Sequence, residues 1–98
     1  MDFRFASQEL ERVWIEANSS LGHGKPVDEK FRQRVSAIKN AKDERDLRAL
    51  KSLHYERLKG KRKHQWSIRV NDQWRLIVEW EKTNKGKRIV LLNVEDYH

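Results

Sequence analysis

The run Trp66-Ser67-Ile68-Arg69-Val70-Asn71-Asp72-Gln73-Trp74-Arg75-Leu76-Ile77-Val78-Glu79-Trp80 decides the fold. Trp66, Ile68 and Val70 alternate with Ser67 and Arg69. Trp74, Leu76, Val78 and Trp80 alternate with Arg75, Ile77 and Glu79. Period two puts each set on one face of a strand. Asn71-Asp72 lies between the two runs as a turn pair, so the stretch predicts an antiparallel hairpin with a two-residue turn. One face carries Ile68, Val70, Trp74 and Leu76, and Arg69 and Arg75 share the other. Trp74 and Trp80 are expected in the core, the commoner place for tryptophan at strand spacing.

Working outward, Thr83 to Gly86 reads as a second turn. Ile89 to Val94 is almost wholly apolar, the pattern of a central strand. Upstream of residue 53 the period changes. Phe3 and Phe5 alternate with polar neighbours, which predicts a short first strand. Ser7 can cap a helix that places Leu10, Val13, Trp14 and Ala17 on one face. Asn18 to Pro26 contains Gly22 and Gly24 and reads as a loop. Asp28 is the expected start of the next helix, with Val27, Phe31, Val35 and Ile38 as its apolar stripe. Leu47 and Leu50 extend helical character beyond Asp43 as a short third helix. The predicted class is α+β: an N-terminal strand and two or three helices packed on one side of a mostly antiparallel twisted sheet. With 98 residues, one domain spanning 1–98 is expected.

Composition narrows the function classes. There is no cysteine, which excludes disulfides, thiolate metal sites and a thiol nucleophile. The chain lacks a signal-peptide pattern at Met1–Phe5 and any apolar stretch of membrane-spanning length, so a cytoplasmic location is expected. The net charge of +7 favours a polyanionic partner, nucleic acid above all. That charge is concentrated: residues 54–75 hold 7 basic and 2 acidic side chains, whereas residues 76–98 hold 4 of each.

Three groups of residues have chemistry to offer. The last four residues, Glu95-Asp96-Tyr97-His98, are all able to handle protons, and the alternative is a loose polar tail. His54 precedes Lys59, Lys61, Arg62 and Lys63, a pattern suited to holding a phosphate beside a proton carrier. The alternative for His54 is a hydrogen-bonded residue at the core edge, and for the basic run an exposed turn. Arg69 and Arg75 on an open sheet face can clamp a phosphate, or simply face solvent. Trp66 is open to stacking on an RNA base. His23, His54, His64 and His98 show no metal-ligand spacing, and no glycine-rich phosphate loop or nucleophile elbow occurs, so no metal or cofactor is expected.

Leu58-Lys59-Gly60, then Gln65-Trp66-Ser67-Ile68-Arg69-Val70-Asn71-Asp72-Gln73-Trp74-Arg75, then Glu95-Asp96-Tyr97-His98 resemble the HigB toxins of the RelE/ParE superfamily. The resemblance is dense over residues 53–98 and rests on element order before that. It implies a RelE-like microbial RNase fold and a metal-independent endoribonuclease that cuts translated mRNA on the ribosome. It also implies a HigA-like helix-turn-helix antitoxin, with operator DNA bound only through the toxin–antitoxin complex, and no membrane partner. The family's functional positions carry over to His54, Lys59, Arg75, Asp96, Tyr97 and His98. Here Tyr55-Glu56-Arg57 separates His54 from Leu58, a longer spacer than in many members. Lys61, Arg62, Lys63 and Arg69 are expected to dock on RNA or the ribosome.

Two other classes compete. A gyrase-poisoning ParE-like toxin needs no proton-transfer groups at the sheet, and a non-catalytic RNA- or ribosome-binding protein would survive loss of His54 and His98.

Overall fold

Strand β4, Trp74–Thr83, is the middle strand of a five-stranded sheet in a computed structural model that describes residues 1–96. The other strands are β1 (Phe3–Phe5), β2 (Glu56–Arg57), β3 (Trp66–Arg69) and β5 (Gly86–Asp96). Their order is β1-β5-β4-β3-β2. β1 pairs with β5 in parallel, and the remaining pairs are antiparallel. Three helices, α1 (Gln8–Ile15), α2 (Lys25–Asn40) and α3 (Glu44–Ala49), lie between β1 and β2 in the chain. Leu10, Val13, Phe31, Val35, Ile38 and Leu47 from the helices meet Ile68, Leu76, Val78, Ile89 and Leu91 from the sheet in one buried cluster. Each such side chain, fully removed from water, contributes roughly 1.5–3 kcal/mol. Trp66, Trp74 and Trp80 are half-buried against the same cluster, as expected for Trp74 and Trp80.

The helices begin and end for local reasons. The Ser7 hydroxyl caps α1 by accepting from the Leu10 amide at 3.2 Å. The helix stops at Ile15, so Ala17 is exposed and not part of the stripe expected of it. Arg32 secures the end: its guanidinium donates to the carbonyls of Val13, Glu16, Ala17 and Ser19, the last turn of the helix and the loop that leaves it. α2 starts at Lys25, three residues before the expected Asp28. Asp28 instead is buried and accepts from the Leu21 amide at 2.9 Å, closing the preceding loop. Asp43 caps α3 through the Arg45 amide.

Two irregularities of the sheet matter more than its regular parts. The β3–β4 connection is not the two-residue turn expected. Arg69 pairs with Arg75, and the Val70 amide donates to the Trp74 carbonyl at 2.9 Å, leaving Asn71, Asp72 and Gln73 outside the ladder. The Asn71 side chain closes the loop by accepting from the amides of Gln73 and Trp74 at 2.9 and 2.8 Å. A two-residue turn would have set Arg69 against Trp74, whereas the three-residue loop sets the two arginines face to face. The second irregularity is a bulge in β5. Ile77 pairs with Asn93 but Val78 with Leu91, so Leu92 is the extra residue. A bulge reverses which face later residues occupy. Ile89 and Leu91 face the helices, and beyond the bulge so does Val94. Glu95 is thereby turned to the face of Arg75, its partner in the ladder.

A polar knot ties α3 to the sheet. The Tyr55 hydroxyl donates to Glu44 at 2.6 Å and accepts from the Trp80 indole at 2.8 Å, while Lys87 bonds Glu44 at 2.8 Å. Burial first, then the bond to Glu44, pushes the Tyr55 phenol above its ordinary value. The folded state therefore favours the neutral phenol, and this contribution is complete below about pH 10 and lost as pH rises past it. Tyr55→Phe leaves the half-buried Trp80 indole donor without its partner and should cost about 1–3 kcal/mol. Thermal melting checks this. An unchanged midpoint would show that the knot contributes nothing.

Candidate active site

The sheet face away from the helices carries Ser67 and Arg69 on β3, Arg75, Ile77 and Glu79 on β4, and Glu95 on β5. Arg75 is its best-anchored cation. Its Nη2 donates to the His54 carbonyl at 2.7 Å and to the Ser67 hydroxyl at 2.8 Å. Ser67 is 0% exposed, so the anchor is fixed by packing and the guanidinium is held with little rotamer freedom left to lose. Ser67 went unnoticed in the sequence. Its signal was a small hydroxyl on the arginine-bearing side of a strand whose other neighbours, Trp66 and Ile68, are bulky.

His54 sits where the chain turns sharply. It follows the 3₁₀ turn Lys51–Leu53, with Leu53 buried beneath, and has φ 43° and ψ 51°. Among the described residues it is the non-glycine residue with positive φ. This left-handed conformation costs roughly 1 kcal/mol for a residue with a Cβ. It also aims the His54 carbonyl at Arg75 while leaving the imidazole exposed. His54→Gly should therefore raise stability by about 0.5–1 kcal/mol, a few degrees in melting midpoint. A lowered midpoint would mean that the imidazole itself is needed for folding.

The basic segment is fastened to this face. Lys59 precedes a second 3₁₀ turn, Gly60–Arg62, and is exposed, as are Lys61 and Lys63. Arg62 reaches across to Glu95 and makes a two-pronged ion pair at 3.0 and 2.8 Å. His64 and Gln65 approach Glu79 at 3.2 and 3.3 Å. Two acidic residues of the sheet thus pin the loop from one side while its lysines stay in solvent. Arg57 donates to the Lys63 carbonyl and lies over the Trp66 ring at 5.2 Å.

At the hairpin end the cations crowd. Arg69 faces Arg75 across the ladder, and like charges in this position repel. Arg69 is bonded to Asp72, which offsets part of this. Arg34 on α2 donates to the Arg69 carbonyl at 2.7 Å. Burial, and secondarily the Arg69 charge, hold the Arg34 guanidinium below its ordinary value. Asp96 closes β5 opposite Trp74 and accepts from the Gln73 side chain at 3.0 Å. It lies at the same end of the sheet as Arg75 and Glu95, but as the partner of Trp74 it alternates onto the helix-side face, so the structure does not bring it onto the face that carries Arg75. Tyr97 and His98 lie outside the described residues. Among those described, no group of three His, Asp or Glu side chains is placed to hold a metal ion, and no helix is long and apolar enough to cross a membrane.

The arrangement is a cationic strip along one sheet face, with Arg75 fixed at one end and exposed lysines beside it. Such a strip suits an extended, singly stranded phosphate backbone better than an enclosed small molecule. Comparison with known proteins agrees on family and fold. Residues 3–98 match the model of the HigB-like toxins, described as the RelE-like toxin of the type II toxin–antitoxin system HigB. Among solved structures the chain is similar to a YoeB/ParE toxin from Agrobacterium tumefaciens, at 14% identity and a TM-score of 0.59 over 100% of both chains. It is also similar to a YoeB-YefM complex from Staphylococcus aureus, at 18% identity and a TM-score of 0.53, covering 100% of this chain and 97% of that one. At these identities the structural likenesses speak for the fold alone. No curated protein matches the chain by sequence.

Proposed function

Because the chain belongs to the HigB-like family of RelE-like type II toxins, we propose that it is a ribosome-dependent endoribonuclease that cuts mRNA without a metal. The observation that carries this reading is the Arg75 guanidinium, oriented by the His54 carbonyl and the buried Ser67 hydroxyl on the face to which the basic loop is pinned. A cation fixed before substrate arrives stabilises charge that develops in a transition state without reorganising.

RNA carries its own nucleophile, the 2′-hydroxyl. The protein has to align that group with the phosphorus, stabilise the negative phosphorane-like transition state and move two protons. Arg75 and Lys59 supply the cations. His98 moves protons with His54 supporting it, Asp96 assists only from the strand end, since its pairing with Trp74 sets it on the helix-side face, and Tyr97 orients or stacks on the nucleotide. The products are a 2′,3′-cyclic phosphate and a 5′-hydroxyl. The ribosome presents the mRNA in a fixed pose, which lets a shallow, open face act as an active site. Lys61, Lys63 and Arg69 contribute long-range attraction to RNA, so binding weakens with salt.

As a type II toxin it is neutralised by a protein antitoxin, which we take to be HigA-like with a helix-turn-helix fold. Operator DNA is bound only through that complex, in the cytoplasm. The Staphylococcus neighbour's title, a YoeB-YefM complex, supports a protein partner.

In a purified translation system, this reading expects mRNA to be cut at defined positions when ribosomes are present and to remain whole when they are omitted. Intact transcripts together with gyrase-trapped DNA would replace it with the ParE-like reading. Ribosome binding without cleavage would replace it with the non-catalytic one.

A further inference from the structure

The Arg62–Glu95 pair has a consequence beyond fastening a loop. The β5 bulge turns Glu95 onto the face of Arg75, its ladder partner. A carboxylate in that position repels the phosphate that Arg75 is placed to receive. The neighbouring positions on that face, Ile77 and Asn93, are neutral. Glu95 is clasped by both terminal nitrogens of Arg62, at 3.0 and 2.8 Å, and both side chains are partly shielded. Two-pronged pairing of this kind fixes geometry as well as charge.

We propose that Arg62 and Glu95 are a positioning pair for the RNA site: Glu95 anchors the basic loop on the Arg75 face, and Arg62 cancels the carboxylate's repulsion of the bound phosphate. The pair lets an acidic anchor stand beside a phosphate site without weakening it. Arg62 then acts through Glu95 and does not itself hold RNA. This rests on the reading of the face as an RNA site, and its test is chosen to separate the two.

The test is a double-mutant cycle read by the binding of a single-stranded RNA oligomer over a range of salt concentrations. Arg62→Ala leaves Glu95 uncompensated. A carboxylate about 6 Å from a phosphate in a well-hydrated site should weaken binding about three- to tenfold. Glu95→Gln keeps an amide oxygen that can accept from Arg62 and loses the charge that repels the phosphate, so it should bind at least as tightly as the wild type. Arg62→Ala with Glu95→Gln restores the wild-type net charge of the pair. It should therefore regain most of the lost affinity and the wild-type salt slope. If Arg62 is instead a direct phosphate contact, the double variant stays weak. Its log–log salt slope then falls by about 0.7, one contact's worth on a single strand. That result overturns the proposal, as does an Arg62→Ala variant that binds like wild type. An exposed pair of this kind contributes little to stability, so folding should survive. Should the loop loosen, Arg62→Gln with Glu95→Gln, two amides able to bond each other, repeats the cycle with the anchor in place. A wild-type protein that binds RNA yet cuts no mRNA on ribosomes fails the proposed function and leaves the cycle decisive for the pair.

Discussion

Arg75→Ala should lower mRNA cleavage on programmed ribosomes by about 10²–10³-fold, the usual loss when one preorganised charge stabiliser is removed. Arg75 spends one nitrogen on the His54 carbonyl and the Ser67 hydroxyl, and this orients a charged plane at the end of a hydrogen-bonded sheet. Its alignment therefore precedes substrate binding, and none of the binding energy goes into arranging it. Arg75→Lys keeps the charge but cannot reach two acceptors and still present a planar fork. It should recover only part of the loss. Removing the guanidinium also leaves the buried Ser67 hydroxyl without this donor, at a cost of about 1–3 kcal/mol. Melting curves for both variants separate lost folding from lost chemistry. If Arg75→Ala melts normally and cuts normally, charge stabilisation lies elsewhere.

His98→Ala should lower the same cleavage by about 10²–10⁴-fold, the range of one positioned acid or base. It should also abolish toxicity on expression while leaving ribosome binding close to wild type, since the proposed mechanism has this imidazole move a proton rather than hold the backbone. Added free imidazole should restore part of the activity of this variant and none of that of Arg75→Ala. Undiminished toxicity of His98→Ala, with transcripts intact, would point to a target other than mRNA.

The main architecture was legible in the sequence because it rests on burial. The alternation around Ile68 and Leu76 and the stripe through Phe31, Val35 and Ile38 each had one apolar face to hide, and they hid it as expected. Arg69 and Arg75 fell on the face opposite the core for the same reason. The details that build the site were not legible, because they are departures from periodicity. An Asn71-Asp72 pair suits a two-residue turn as well as it suits the longer loop that the Asn71 side chain closes. Leu92 is one apolar residue in an apolar run, so nothing marks it as a bulge, yet it decides that Glu95 shares a face with Arg75. The left-handed turn at His54 carries no glycine or asparagine to announce it. Arg62 looked like one more cation in a basic run, and only its reach to Glu95 sets it apart from Lys61 and Lys63. Periodicity placed Arg75 and Ser67 on their face, whereas the His54 turn, the Asn71 loop and the position of Glu95 come from residues that break it.

The central claim is that the substrate's own 2′-hydroxyl does the cutting and this chain supplies only cations, orientation and proton transfer. An mRNA carrying a single 2′-deoxynucleotide at the cut position, placed on programmed ribosomes with the wild-type protein, tests it directly. The account predicts unaltered binding of the toxin, no scission at that position, and a 2′,3′-cyclic phosphate on the product of the matched all-ribose message. Scission of the deoxy-substituted message at the same position, leaving a 3′-hydroxyl and a 5′-phosphate, would contradict it.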